Sequence, residues 1–316
     1  MTKNELAFVF PGQGSQSVGM LSQMAETSGL VEATFVQASD VLGYDLWDLC
    51  QNGTAEELSQ TEVTQPLLVT ASTTLWRCWQ EATEVRPAVM AGHSLGEWSA
   101  LVAAGVVSLE DAVRLVRLRG QYMQSAVPAG QGAMAAIVGL ADDLVAEACQ
   151  NSSSEQVVLP VNFNSPGQVV IAGHAEAVER AMAACSEAGA KRALPLPVSA
   201  PFHTPLMQPA ADRLAADIEA TSFSAPEIPV IHNVGCLPES DPEKIKQLLV
   251  DQITAPVPWT QTVEKLSGMG VSTGVECGPG RVLSGLSKRI NRELTNLNIE
   301  SPEALSAAVE QIATAE

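Results

Sequence analysis

Residues 87–104 read Pro-Ala-Val-Met-Ala-Gly-His-Ser-Leu-Gly-Glu-Trp-Ser-Ala-Leu-Val-Ala-Ala. An apolar run comes first, then Gly92-His93-Ser94-Leu95-Gly96, then a stretch rich in helix formers. Gly-x-Ser-x-Gly between a strand and a helix is the context of a nucleophile elbow. The sharp turn pushes the Ser94 hydroxyl out at the end of the strand, and the two glycines let backbones approach without a Cβ clash. The helix that starts beneath the serine has free N–H groups to offer a developing oxyanion.

Outward from this turn the chain alternates strands and helices. Residues 6–10 form a short buried strand, followed by the glycine-rich loop Pro11-Gly12-Gln13-Gly14-Ser15-Gln16. In open α/β sheets that end of a strand is where ligands collect. Helical patterns dominate to about residue 82, and residues 85–91 are the strand before the elbow. Ser108 caps a helix running to about residue 126, with Asp111 three residues later and Pro128 beyond its end. Residues 128–199 follow the order β-α-β-β-α-β, a ferredoxin-like arrangement. After them come a helix at 209–220, a strand at 228–234, a helix at 242–252, a strand at 273–277, a helix through residue 290 and an amphipathic tail helix from Pro302. The fold class expected is α/β: one large domain built from residues 1–127 and 200–316, with 128–199 inserted as a small ferredoxin-like domain.

Composition narrows the function. The net charge of -19 argues against nucleic acid as a partner, because phosphate binding needs a basic face. No apolar run reaches the roughly 18 residues of a membrane span, and the N-terminal residues do not read as a signal peptide. The six cysteines show no Cys-x-x-Cys pair and read as reduced thiols of a cytoplasmic protein. With four histidines, a metal cluster is not expected.

Ser94 needs a base to take its proton. Of the four histidines, His93 adjoins the nucleophile in a turn that aims it elsewhere, and His174 opens an insert helix on the surface. His232 ends an apolar strand, where a satisfied structural histidine is expected. His203 lies in Pro201-Phe202-His203-Thr204-Pro205, a rigid loop where the insert rejoins the large domain. Catalytic groups favour such loops. Spacing alone favours His203 and leaves the choice open.

Arg119 is the sharper signal. At about 100° per residue, Glu110, Arg114, Arg117, Gln121 and Gln124 form one polar stripe. Arg119 falls on the opposite face with Ala112, Leu115 and Met123. A buried arginine needs an anionic partner. That partner is either an internal Asp or Glu, or a ligand carboxylate gripped by the planar guanidinium.

Taken together, Phe10-Pro11-Gly12-Gln13-Gly14-Ser15-Gln16, Gly92-His93-Ser94-Leu95-Gly96-Glu97, Arg119-Gly120, residues 161–173 (Val-Asn-Phe-Asn-Ser-Pro-Gly-Gln-Val-Val-Ile-Ala-Gly), Pro201-x-His203 and Glu276-Cys277-Gly278-Pro279-Gly280 occur in order. In this the chain resembles the malonyl-CoA:acyl carrier protein transacylase family nearly end to end. The resemblance implies an α/β-hydrolase-like large domain with a ferredoxin-like insert. It implies that Ser94 takes the malonyl group as an ester, that His203 is the base and that Arg119 grips the free carboxylate. It implies an oxyanion hole from the backbone N–H groups of Gln13 and Leu95. The base of this family is oriented by a main-chain carbonyl, here matched by Gln252. His93 and Asn162, within the matched motifs, join Arg119 and Gln252 as candidate substrate-binding residues. Cys277 and His232 depart from the commoner Val and Asn of relatives. Phe202 and Leu95 resemble the choices of malonyl-specific domains.

The function implied is transfer of malonyl from malonyl-CoA to the phosphopantetheine thiol of acyl carrier protein, supplying fatty-acid synthesis. The enzyme itself holds no cofactor in this reading, and the resemblance leans towards a monomer. Alternatives are a malonyl transferase serving a polyketide synthase, a serine thioesterase or hydrolase on the same fold, or a non-catalytic binding module. Hydrolases usually place their histidine late in the chain, whereas the last here is His232. The acidic chain must meet an acidic carrier protein through a local basic surface. Lys288, Arg289 and Arg292 are the first candidates and Lys191-Arg192 the second.

Overall fold

The computed structural model describes residues 2–198 and 200–314. Met1 and residues 315–316, at the ends of the expected large domain, and Ser199, at the end of the expected insert, lie outside the described residues. Among the described residues nine strands divide between two sheets: β1 (Thr2–Phe10), β2 (Arg86–Gly92), β3 (Gly132–Val138), β4 (Val158–Ser165), β5 (Gln168–His174), β6 (Arg192–Pro195), β7 (Val230–Ile231), β8 (Thr273–Glu276) and β9 (Thr295–Asn298).

The first sheet runs β7-β2-β1-β8-β9 and every pairing in it is parallel. A parallel sheet needs helices on both faces, and β1 shows why its apolar run is unbroken. Leu6, Phe8 and Phe10 face one core with helix Thr61–Ala82, where Trp76 and Trp79 meet the Phe8 ring edge-on. Ala7 and Val9 face a second core with Trp259, Val263 and Leu283. The order is that of a doubly wound sheet, with β1 in the middle, and such sheets bind ligands beyond the carboxyl ends of their strands.

The second sheet, β4-β5-β3-β6, is antiparallel throughout and drawn wholly from residues 132–195. Val169 and Ile171 of β5 pack under helices Asp142–Ser153 and Ala175–Glu187, while Val170 and Ala172 join the main core. The two units are stitched by backbone: Val257 donates to the carbonyl of Val161 at 2.7 Å and accepts from Phe163 at 3.0 Å.

Two expected strands are shorter and two further elements appear. The strand expected at 228–234 shrinks to Val230–Ile231, because His232 and Asn233 turn away to serve the site described below. The last strand of the insert, expected over residues 192–198, ends at Pro195. Helix Trp259–Gly268 and edge strand β9 are additional. The polar β9 sequence, Thr-Asn-Leu-Asn, has no apolar alternation to announce it. His174 is not a free surface group: half-buried, it accepts the Val157 N–H at 2.9 Å through Nδ1.

All six cysteines are unpaired thiols, five of them buried. Among the described residues no helix is long and apolar enough to cross a membrane.

Candidate active site

The elbow forms at the end of β2 because its glycines are obligatory. A Cβ on Gly92 would lie 2.0 Å from the Gly96 carbonyl carbon, and one on Gly96 would lie 2.0 Å from the Phe10 oxygen. Ser94 itself sits at φ 51°, a left-handed conformation that a non-glycine residue keeps only when its surroundings hold it. The holding groups are visible. Asn233 Oδ1 accepts the Ser94 N–H at 2.8 Å, and Asn233 Nδ2 donates to the Gly92 carbonyl at 2.7 Å. Helix Gly96–Ala103 starts directly beneath.

His203 arrives from the other side of the insert, also left-handed at φ 63°. Its Nε2 lies 2.8 Å from Ser94 Oγ and its Nδ1 2.9 Å from the Gln252 carbonyl oxygen. Burial, and next the charge of Arg119, push its pKa down to about 3. The ring is therefore neutral and able to take a proton.

Arg119 is buried, as its helix phase requires, on helix Leu109–Ser125. Its Nη2 is 3.3 Å from Ser94 Oγ. Its other partners are amide oxygens: Gln65 Oε1 at 2.9 Å and Gln252 Oε1 at 3.1 Å. No Asp or Glu among the described residues forms an ion pair with it, so the internal-carboxylate alternative falls. Its Nε has no acceptor. Desolvation lowers its pKa to about 10, which leaves it charged at neutral pH.

The remaining candidates fall around this centre. Gln252 is buried and serves twice, with its carbonyl on His203 and its side chain on Arg119. His93 gives Nε2 to Asn164 Oδ1 at 2.8 Å, and its ring stands 5.7 Å from that of Trp259; burial lowers its pKa. It is not the group facing Ser94. Asn162 lies on β4 with Oδ1 buried and unpartnered. The loop that carries Gln13 is pressed against the elbow: a Cβ on Gly12 would lie 2.5 Å from the His93 oxygen. The N–H groups of Gln13 and Leu95 have no acceptor among the described residues.

Three site residues, Glu97, Asn233 and Gln65, were not expected from sequence. Glu97 is a fully buried carboxylate that accepts from Gln252 Nε2 at 2.8 Å, the Asn233 N–H at 2.8 Å and His232 Nδ1 at 2.7 Å. His232, expected as a structural histidine, thus has a carboxylate partner, while its Nε2 has none. Asn233 braces the elbow and Gln65 the guanidinium of Arg119. Glu97 follows the elbow directly, and a charge in an otherwise apolar helix start was the available signal. Gln65 carried none.

The acyl transferase domain family model matches residues 7–305. A malonyl CoA-acyl carrier protein transacylase of Salmonella typhimurium is 59% identical over 307 residues, 97% of this chain and 99% of the relative. The chain belongs to the malonyl-CoA:acyl carrier protein transacylase family. A crystal structure of an acyl carrier protein S-malonyltransferase from Vibrio cholerae superposes with a TM-score of 0.94 at 56% identity, covering 96% of this chain and 99% of that one. A malonyl-transacylase solved in complex with a type II PKS acyl-carrier protein gives a TM-score of 0.96 at 54% identity, covering 97% and 99%. Membership accounts for the expected α/β fold with its inserted small sheet. In this fold the buried Arg119, without an ion-pair partner among the described residues, stands beside the serine of the elbow.

Proposed function

We propose that this chain is a cytoplasmic acyltransferase that moves malonyl from malonyl-CoA to the phosphopantetheine thiol of acyl carrier protein, supplying extender units for fatty-acid synthesis. Ser94 Oγ attacks the thioester carbonyl while His203 Nε2 takes its proton. The tetrahedral oxyanion is met by the N–H groups of Gln13 and Leu95. Collapse breaks the carbon–sulfur bond, and His203 returns the proton to the departing coenzyme A thiol. The malonyl ester on Ser94 then reacts in reverse order with the carrier-protein thiol. The enzyme needs no cofactor of its own, because the thiols travel with donor and acceptor.

One observation carries this reading. Arg119 stands 3.3 Å from the nucleophile, buried, charged and without an ion-pair partner. A desolvated guanidinium in that place selects an acyl group ending in a carboxylate. Simple ester or thioester hydrolysis has no use for it. Intact-mass analysis after mixing with malonyl-CoA tests the reading: a malonyl adduct should form on Ser94 and be discharged by holo carrier protein faster than by water. Release of free malonate as the main product would replace the transferase with a hydrolase.

A further inference from the structure

Arg119 is fixed by neutral groups, and this is chemically unusual for a buried cation. Gln65, fully buried on helix Thr61–Ala82, holds Nη1 at 2.9 Å. A guanidinium only donates, so the amide oxygen of Gln65 must face it and the amide nitrogen must face away. That nitrogen has no acceptor, and neither has Arg119 Nε. The pocket around the guanidinium is therefore rich in donors and short of acceptors. The nearest buried anion, Glu97, is kept off by a spacer: Gln252 donates Nε2 to Glu97 at 2.8 Å and turns Oε1 to Arg119 at 3.1 Å.

We infer that Gln65 is a positioning residue that sets donor selectivity, fixing the Arg119 guanidinium with a neutral acceptor and so leaving its charge for the carboxylate of the acyl group. This rests on the malonyl reading above. A carboxylate at position 65 would satisfy the same nitrogen but would also neutralise it, and an incoming malonyl carboxylate would have to displace an internal one. An apolar side chain would leave the charge in place and loosen the fork. Amide, carboxylate and apolar side chains of similar length therefore have three different consequences for one contact.

The test compares Gln65→Glu and Gln65→Met with wild type, measuring acyl-enzyme formation from malonyl-CoA and acetyl-CoA. Gln65→Glu should cut the malonyl-to-acetyl ratio of kcat/KM by roughly 30-fold or more, the size of effect seen when a desolvated charge pair is disturbed. Acetyl transfer should fall less than about threefold, because acetyl makes no use of the charge. Gln65→Met should raise KM for malonyl-CoA, but not for acetyl-CoA, with little change in kcat, and so lower the ratio by less than Gln65→Glu does. Equal losses for both donors in both variants would make Gln65 a packing residue and overturn the inference, as would an unchanged ratio in Gln65→Glu. If Gln65→Glu does not fold, Gln65→Met decides: a KM rise confined to malonyl-CoA supports the inference and an equal rise overturns it. Arg119→Ala separates the two levels. If it collapses the ratio and Gln65→Glu does not, the inference alone fails. If Arg119→Ala leaves the ratio unchanged, the carboxylate clamp fails and the inference with it.

Discussion

The carbonyl oxygen of Gln252 lies 2.9 Å from Nδ1 of His203, and this contact decides which ring nitrogen faces Ser94. A carbonyl can only accept, so Nδ1 carries the hydrogen and Nε2 is left bare, 2.8 Å from Ser94 Oγ. A triad aspartate would do the same orienting work but would bring a negative charge beside Arg119. A carbonyl sets the tautomer without competing for the guanidinium, and the same residue's side chain braces that guanidinium at 3.1 Å.

The pH dependence of acylation follows. Burial and the Arg119 charge hold His203 near 3, against an ordinary value of 6.5. The base is protonated, and lost, only as pH falls through the folded value. Acylation by malonyl-CoA, measured as kcat/KM from pH 8 downwards, should therefore stay flat well below 6.5. In Arg119→Ala, followed with acetyl-CoA, one of the two depressing causes is gone and the acid limb should move to higher pH. The stability contribution has the same sign: the unfolded chain binds the proton first, so stability is full above 6.5 and declines as pH falls towards 3. A wild-type acid limb centred near 6.5 would contradict this account.

Ser94→Ala should abolish both the acyl-enzyme and transfer, since among the described residues no other hydroxyl is paired with His203 Nε2. A malonyl adduct persisting on another residue would remove the assignment. His203→Ala should slow acylation by about 10²–10⁴-fold, the usual worth of a general base. Among the described residues the His232 side chain reaches the elbow through Glu97 and does not touch Ser94, so the effect of His232→Ala should be the smaller of the two. The reverse ranking would show that the base is misassigned.

Arg119→Ala should lose malonyl transfer while keeping or gaining acetyl transfer. Removing one member of a desolvated charge pair costs roughly 2–5 kcal/mol, and acetyl offers no charge to miss it. Arg119→Lys should also be poor, because a point charge cannot span Gln65, Gln252 and Ser94 as the planar fork does. Parallel losses with the two donors would mark Arg119 as structural.

Gly96→Ala should destabilise the fold and damage the nucleophile together. The added Cβ would meet the Phe10 oxygen at 2.0 Å and the Pro11 oxygen at 2.9 Å. Both are backbone atoms in the middle of the sheet and its following loop, so neither can step aside cheaply. The cost should be about 1–3 kcal/mol or more, seen as a lower melting temperature with a reduced acylation rate. A variant as stable and active as wild type would mean that the loop and the elbow can separate.

The sequence revealed this site unevenly, for physical reasons. Ser94 and its glycines were legible because strand, turn and helix each leave a local pattern, and Arg119 because helix phase exposes a misplaced charge. Strand β5 was legible as an unbroken apolar run because both of its faces are covered. Gln65, Glu97 and Asn233 were not assigned roles. Their functions are hydrogen bonds between segments far apart in the chain, from Gln65 to Arg119 and from Asn233 to Gly92. No local period encodes such a contact. Strand β7 was overread for a related reason: its apolar start continues into His232 and Asn233, which are buried as polar ligands of Glu97 and not as strand.

The last prediction concerns the carrier protein. The chain carries -19 overall, and an acidic partner is repelled by it except where basic residues stand clear of their own counter-ions. Helix Val282–Ile290 ends in Lys288 and Arg289, both exposed, with Arg292 exposed just beyond it. Arg289 reaches Gln168 at the start of β5, so this basic end lies where the insert and the large domain meet. Lys191 and Arg192 are exposed as well, on the insert. None of these five takes part in an ion pair among the described residues, so their charge is available to a partner. Lys288→Glu with Arg289→Glu should raise the KM for carrier protein and leave acylation by malonyl-CoA nearly intact. The effect should shrink as salt rises, because exposed charges are screened beyond roughly 10 Å at 0.1 M. Carrier-protein kinetics unchanged at low salt would take this helix end out of the docking face and direct attention to Lys191 and Arg192.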